Sequence, residues 1–285
     1  MSAKPTITII GSGNLGSAMA RALQAAGYSL DEIVFHTAAS RQRARTLARA
    51  ARAQAVALDD ARLAADVVWL CVPDGAIASC AAALSGGEWE AKTVLHASGA
   101  VPSEALAPLR KRGAAVASLH PMMTFVRGAP PVLAGVTFAL EGDPAAVRVA
   151  RRMARDLGGR VLRITAAAKP LYHAFGAFTS PLLIALLAAA ERVAGAAGIR
   201  RQDARAASRP ILEQTLRNYL AHGPAGAFSG PLVRGDVDTV RRHLRALRRV
   251  PQARQVYLAL VRSALHTLPV KNKKDLGALV GKSRR

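Results

Sequence analysis

Several groups of residues in this chain have the types and spacing that chemistry requires. The first, Gly11-Ser12-Gly13-Asn14-Leu15-Gly16, follows the apolar run Thr6-Ile7-Thr8-Ile9-Ile10 and opens a helix-length segment. In that setting the glycines have separate tasks. Gly11 permits a tight turn, Gly13 lets a diphosphate approach the backbone, and Gly16 lets helix pack closely on strand. The helix start then offers free N–H groups and the positive end of its dipole to the anion. The chemistry expected here is dinucleotide binding, and the plainer alternative is a glycine-rich turn without a ligand.

A second group sits where other apolar runs end: Val72-Pro73-Asp74, His96-Ala97-Ser98-Gly99 and His120-Pro121-Met122. Strand carboxyl ends border the ligand crevice of open parallel sheets. Val72 and Pro73 are therefore expected beside the dinucleotide, with Ser98 and Gly99 meeting the nicotinamide or the substrate, and His96 the substrate. His120, pinned by Pro121, is a candidate for proton exchange near neutral pH. For Ser98 and Gly99 a plain turn competes with this reading, and for His120 a loop-shaping histidine does. A third group, Lys169 and His173, has the i, i+4 spacing that places two side chains on one helix face. Pro170 suits the first helical position and disfavours helical geometry before it, so Lys169 is expected just outside the helix. Lys169, His173, His120 and Ser98 form the catalytic set. In the last group, Ser229 to Asp236, Arg234 is placed to grip a carboxylate bidentately and Asp236 to cap a helix. No metal site is expected.

Short apolar runs alternate with helix-length segments up to about residue 165, at Thr6 to Ile10, Glu32 to Phe35, Asp66 to Val72, Lys92 to His96, Ala114 to Leu119, Val136 to Leu140 and Val161 to Ile164. Unbroken hydrophobicity, as in Val67 to Val72, suits strands covered on both faces. The rhythm predicts an α/β fold with a doubly wound parallel Rossmann sheet over 1–167. Beyond it, 170–197, 202–222, 236–249 and 253–268 read as helices of an all-helical second domain over 168–270, and 271–285 reads as a mobile basic tail. The apolar stretch Ala174 to Ala190 is interrupted by Gly176, Thr179, Ser180 and Pro181 and is expected to be a buried helix, of the core or at a dimer interface.

The end of the second run, His36-Thr37-Ala38-Ala39-Ser40-Arg41-Gln42-Arg43, carries no carboxylate. An Asp or Glu there would accept from the adenosine ribose of NAD. Thr37, Ser40, Arg41 and Arg43 instead suit a 2′-phosphate, so NADP(H) is the expected cofactor. A solvated first helical turn explains the same arginines without a ligand.

The formal charge of +22 invites a nucleic-acid reading. Of the 40 basic residues only 8 are Lys, and the arginines are scattered through Ala-rich helical stretches, as a compositional bias would scatter them. Nucleic acid is not the expected partner. Hydrophobic residues make up 51% of the chain, which excludes a disordered protein. Two cysteines, Cys71 and Cys80, imply no disulfide framework. Lys4-Pro5 leads straight into the first run without the apolar stretch of a secretory leader, and a cytoplasmic location is expected.

Taken together, the glycine loop, His96-Ala-Ser-Gly99, Ser118-Leu-His-Pro-Met122, Lys169-x-x-x-His173 and Gly230-Pro-Leu-x-Arg-Gly-Asp236 resemble the 6-phosphogluconate-dehydrogenase-like reductases. The likeness covers nearly the whole chain. It is nearest to Rossmann-like oxidoreductases with a helical domain of unknown function, and is similar also to pyrroline-5-carboxylate reductases. In related hydroxyacid dehydrogenases a Lys at the position of Lys169 is the acid/base catalyst, and the His-Pro pair at His120 resembles that of prephenate dehydrogenases. The resemblance implies an NADPH-dependent reductase of a small carbonyl or imine bearing a carboxylate, working as a homodimer. A prephenate-dehydrogenase-like or ketopantoate-reductase-like enzyme, and a non-catalytic NADP-binding regulator or scaffold, are the alternatives.

Overall fold

In the computed structural model, which describes residues 3–126 and 132–281, the chain divides into two compact units, one ending at Ala177 and the other beginning at Phe178. The first unit runs β1 (Ile7–Ile10), α1 (Asn14–Ala25), β2 (Leu30–Phe35), α2 (Ala38–Ala51), β3 (Gln54–Ala57), β4 (Val67–Leu70), α3 (Ile77–Ala83), β5 (Thr93–His96), α4 (Ala107–Arg110), β6 (Ala115–Pro121), β7 (Thr137–Gly142), α5 (Pro144–Asp156), β8 (Arg160–Arg163) and the start of α6 (Lys169–Thr179). Eight strands form one sheet in the order β3-β2-β1-β4-β5-β6-β7-β8. Order reverses between β1 and β4, which is the switch point where such sheets open a crevice.

Every residue of β1, β4 and β5 is buried, as their unbroken hydrophobicity requires. Alternation divides them between two layers. Ile7, Ile9, Trp69 and Leu95 pack with Met19 and Leu23 of α1, Leu47 of α2 and Met153 of α5. Ile10, Val68, Leu70 and Val94 pack on the opposite face with Ile77 of α3, Leu106, Leu109 and Trp89. The sheet departs from the all-parallel expectation at one seam, because β7 runs antiparallel to β6 and carries β8 with it. β3 is half exposed and short, so it stood out in none of the apolar runs.

The second unit contains α7 (Pro181–Ala196), α8 (Arg201–Ala227), α9 (Pro231–Arg234), α10 (Val237–Ala246), α11 (Pro251–Thr267) and α12 (Lys273–Gly281). The expected helix over 170–197 is broken at Ser180, whose non-helical backbone precedes Pro181. α8 is likewise two helices joined at Gly223, which has φ 68° and ψ 179°. Segment 166–196 is apolar and long enough to cross a membrane by composition and length alone, and the same Ser180 break interrupts it. It is not the buried core helix expected: α7 buries no residue, and Leu182 and Ile184 lie open, as do Ile211, Leu216 and Leu220 of α8.

The core of this unit forms instead from Val240 and Leu244 of α10, Leu258 and Val261 of α11, and Leu276 and Val280 of α12. The mobile tail expected beyond residue 271 is therefore corrected. Leu276 and Val280, one helical turn apart, are sealed into this core, and Arg262 donates to the Val280 carbonyl at 2.7 Å. The lysines at 271, 273 and 274 had hidden an amphipathic helix. Replacing a fully buried Leu by Ala leaves a cavity, so Leu276→Ala is expected to lower stability by about 2–5 kcal/mol in denaturant unfolding. An unchanged unfolding midpoint would mean that α12 does not belong to the core.

Candidate active site

The glycine loop is shaped as its spacing requires. Gly11 has φ +108°, and a Cβ on it would lie 2.5 Å from the Cys71 carbonyl oxygen. A Cβ on Gly16 would fall 1.9 Å from the Gly11 oxygen, so α1 could not dock against β1 with any larger residue there. Gly13 differs, because its Cβ would meet nothing within 4 Å. The loop thus turns an open backbone surface outward at the start of α1, and no side chain caps that helix. Ser12 is buried, with its hydroxyl 3.4 Å from the Ser40 carbonyl, and Leu15 packs on the core. The Asn14 amide donates to the Phe125 carbonyl at 3.0 Å, tying the loop to the segment that follows β6. Half-buried Val72 borders Gly11 after β4, and exposed Pro73 follows it in the chain.

At the end of β2 no carboxylate faces the crevice. Glu32 points into the fold, where it accepts from the backbone N–H groups of Arg62 at 3.1 Å and Leu63 at 3.0 Å. The Ser40 hydroxyl donates to the Thr37 carbonyl at 2.8 Å and accepts from the Thr37 N–H at 3.2 Å, so both residues secure the first turn of α2. Arg41 and Arg43 remain exposed, and the Arg41 guanidinium lies over the Phe35 ring at 5.7 Å.

Lys169 is the most deeply placed of the candidate catalytic residues, with 1% of its surface exposed. It is already helical, the preceding 3-10 turn Ala166–Ala168 leading smoothly into α6, so Pro170 does not exclude it from the helix. Its ammonium donates to the Ser98 carbonyl at 2.9 Å and the Ser118 hydroxyl at 2.6 Å, and pairs with Glu141 at 3.7 Å. Two of the three ammonium protons are thus hydrogen-bonded, and the charge is balanced by the nearby carboxylate. Burial pushes the Lys169 amine below the usual lysine range, and Glu141 pulls it back upward. Glu141 itself accepts from the Ser103 N–H and hydroxyl, both at 2.7 Å.

Ser98 faces inward as well. Its hydroxyl accepts from the N–H groups of Ala100 at 3.1 Å and Val101 at 2.9 Å, and its carbonyl receives Lys169 and Ser118. It builds the loop after β5, and of its polar atoms the hydroxyl proton alone is given no acceptor among the described residues. His96 is fully buried, its Nδ1 accepting from the Ser98 N–H at 3.2 Å, and burial lowers its pKa to about 3. It lies wholly inside the fold.

His120 and His173 lie at the surface of this cluster. Their ring centroids are 6.3 Å apart, and Gly99 sits between them: a Cβ there would come within 2.9 Å of both rings. Gly99 is thus what allows the two imidazoles to converge. His120 Nδ1 is 2.8 Å from the Tyr172 hydroxyl, in an edge-on arrangement. Burial first, then the charges of Lys169 and His173, lower the His120 pKa to about 4, against a small upward pull from Asp74. Burial raises Tyr172 to about 12.

Lys169, His120, His173, Ser98, His96 and Gly99 therefore gather around the ends of β5 and β6, while Arg234 lies exposed on α9 in the second unit. Asp236 caps α10 as expected, accepting from the Thr239 N–H at 2.9 Å. Tyr172, Glu141 and Ser103 were not singled out from the sequence. A lone carboxylate in the apolar strand Thr137–Gly142 was the available signal, since a buried Glu requires a partner.

Residues 1–121 match the profile of a Rossmann-like domain, and residues 136–264 match a domain of unknown function, DUF2520. The chain thus joins a Rossmann-like domain to a DUF2520 domain whose match begins with β7. Among solved structures it is similar to a Bacteroides fragilis protein provisionally named an NADP oxidoreductase, with 22% identity over 91% of this chain and 97% of that one, and a TM-score of 0.77. It is similar also to protein TM1727 from Thermotoga maritima, at 22% identity, covering 98% of this chain and 100% of that one, TM-score 0.71. A reductive aminase from Aspergillus terreus in complex with NADPH and ethyl-5-oxohexanoate shares 19% identity over 99% of this chain and 100% of that one, TM-score 0.67. At these identities the likeness is one of fold. No curated protein matches the chain significantly.

Removing Lys169 strands Glu141 in the interior. Lys169→Ala is expected to cost about 3–5 kcal/mol, and Lys169→Met combined with Glu141→Gln to restore much of it in urea unfolding. Equal losses in the single and double variants would mean the ion pair is not the support inferred here. The two depressed histidines also set a pH dependence. Unfolded histidine takes up a proton near 6.5, whereas folded His96 and His120 do so only near 3 and 4. Between these values the unfolded chain binds more protons, so stability is full above 6.5 and falls as pH drops. Replacing both by Asn should flatten the slope between pH 6.5 and 5, and an unaltered slope would refute the assignment.

Proposed function

We propose that this protein is an NADP(H)-dependent reductase that acts on a small carbonyl or imine. The observation that carries the reading is the open backbone at Gly13, beside an uncapped α1, in a fold whose second strand is followed by exposed arginines on α2 and by no carboxylate. These residues fit the pyrophosphate and 2′-phosphate of NADP(H). Arg41 and Arg43 would hold the 2′-phosphate; Thr37 and Ser40 would shape the turn beneath it. The NADPH-bound structure of the reductive aminase supports the same assignment. Bound there, the cofactor supplies the hydride.

The proton has fewer sources. The Lys169 ammonium is held by Ser98, Ser118 and Glu141, so His120 is the group placed to donate a hydrogen bond to the substrate heteroatom, with exposed His173 beside it to exchange the proton. Arg234 is proposed to receive a substrate carboxylate. The open apolar faces of α7 and α8 support a homodimer, since patches of this kind are rarely left to water. The free cysteines Cys71 and Cys80 are compatible with a cytoplasmic location.

Binding of NADPH and NADH by the purified protein tests the cofactor assignment. NADPH should bind more tightly, and Arg41→Ala should weaken it by about tenfold to a hundredfold while sparing NADH, as loss of a charge-assisted phosphate contact does. Equal affinity for both cofactors would remove the 2′-phosphate assignment. Loss of cofactor absorbance with a panel of keto acids and cyclic imines tests turnover, and a chain that binds NADPH yet reduces none of them is a binding protein instead. Light scattering should report twice the mass of one chain, and a monomer would contradict the dimer.

A further inference from the structure

We propose that Tyr172 locks His120 in the tautomer that carries its proton on Nε2, so that the pair presents a fixed hydrogen-bond donor to the substrate. The inference rests on the reductase reading and narrows it. The substrate atom that meets His120 is then a lone-pair acceptor, a carbonyl oxygen or an unprotonated imine nitrogen, and not an iminium.

The argument begins with the Tyr172 hydroxyl. It lies 2.8 Å from His120 Nδ1, and the residue is 9% exposed. Two arrangements satisfy that distance. If Nδ1 carried the proton and donated to the phenol oxygen, the phenol proton would need a second acceptor, and His120 is the hydroxyl's only hydrogen-bond partner among the described residues. If the phenol donates, its proton and the Nδ1 lone pair satisfy each other, and the remaining ring proton must sit on Nε2. Burial opposes the charged form of either group, with His120 held near 4 and Tyr172 near 12, so the neutral pair persists between those values. The groups acting on His120 from neighbouring elements are Lys169 and His173 of α6, His96 of β5 and Asp74 after β4. The cation Lys169 disfavours a second proton on the ring, and Asp74 is too weak to reverse that.

The other edge of the ring is seated against backbone. A Cβ at Gly99 would stand 2.9 Å from Nε2 and Cε1 and equally close to the His173 ring, so the glycine spares this edge a clash and leaves His173 as its neighbouring side chain. Nε2 has no hydrogen-bond partner among the described residues. The ring is therefore anchored through Nδ1, oriented by the perpendicular phenol at a centroid distance of 5.6 Å, and unpaired at Nε2. Tyr172 acts here as a positioning residue and His120 as the residue that touches substrate.

Histidine nitrogens resolved by long-range ¹H–¹⁵N NMR on the full chain test this without cofactor or turnover, with His120→Asn identifying the signals. The expected result at pH 7 is a protonated Nε2 and an unprotonated, hydrogen-bonded Nδ1. In Tyr172→Phe the Nδ1 signal should move to that of a free imidazole nitrogen. A protonated Nδ1 in the unaltered protein would overturn the proposal, as would an Nδ1 signal indifferent to Tyr172→Phe. With a turned-over substrate, Tyr172→Phe should lower kcat by roughly tenfold to a hundredfold and leave KM for NADPH unchanged, because ring orientation and not cofactor binding is lost. Absence of NADPH oxidation by the unaltered protein would sink the reductase reading alone, since the NMR result stands independently of it.

Discussion

The ion pair between Lys169 and Glu141 is the constraint on which the candidate site depends. Two buried charges are tolerable only when each is surrounded by further hydrogen bonds, and here the surroundings come from different parts of the chain. Ser98 and Ser118 complete the lysine; Ser103 completes the glutamate. One lysine at the start of a helix thereby joins the β5 loop, the middle of β6 and the antiparallel strand β7. The arrangement also fixes the rotation of α6, since Lys169 cannot leave its socket without abandoning a buried carboxylate. Tyr172 and His173, one turn further along, inherit their positions from it.

This ordering separates two roles that spacing along the chain could not separate. Lys169 and His173 share a helix face by their i, i+4 relation, and both are plausible proton donors on that ground. Their surroundings are opposite: Lys169 is sealed beneath the loop and His173 stands in solvent. The side chain that complements His120 is instead the neighbour of His173, whose hydroxyl reaches back toward β6.

The parts of the fold legible in the sequence are those governed by local rules. The glycine loop, the buried parallel strands and the Asp236 cap each follow from a few adjacent residues, and each is present. The reversed β7 was not legible, because an apolar run has the same composition in either direction. Glu141 and Tyr172 acquire meaning only from partners more than twenty residues away. α12 was obscured by its lysines, although Leu276 and Val280 already had helical spacing. The apolarity of α7 was read correctly as a need for burial, but the single chain leaves that need unmet.

The hydrogen bond from Asn14 to the Phe125 carbonyl has a reach beyond its own strength. Asn14 is the first residue of α1 and Phe125 follows the strand that bears His120, so the glycine loop and the strand end that carries the imidazole share one linkage. A ligand that turned the Asn14 amide toward itself would release Phe125 from its present tether. A change at either end of this linkage is thus felt at the other, although the two lie more than a hundred residues apart in sequence.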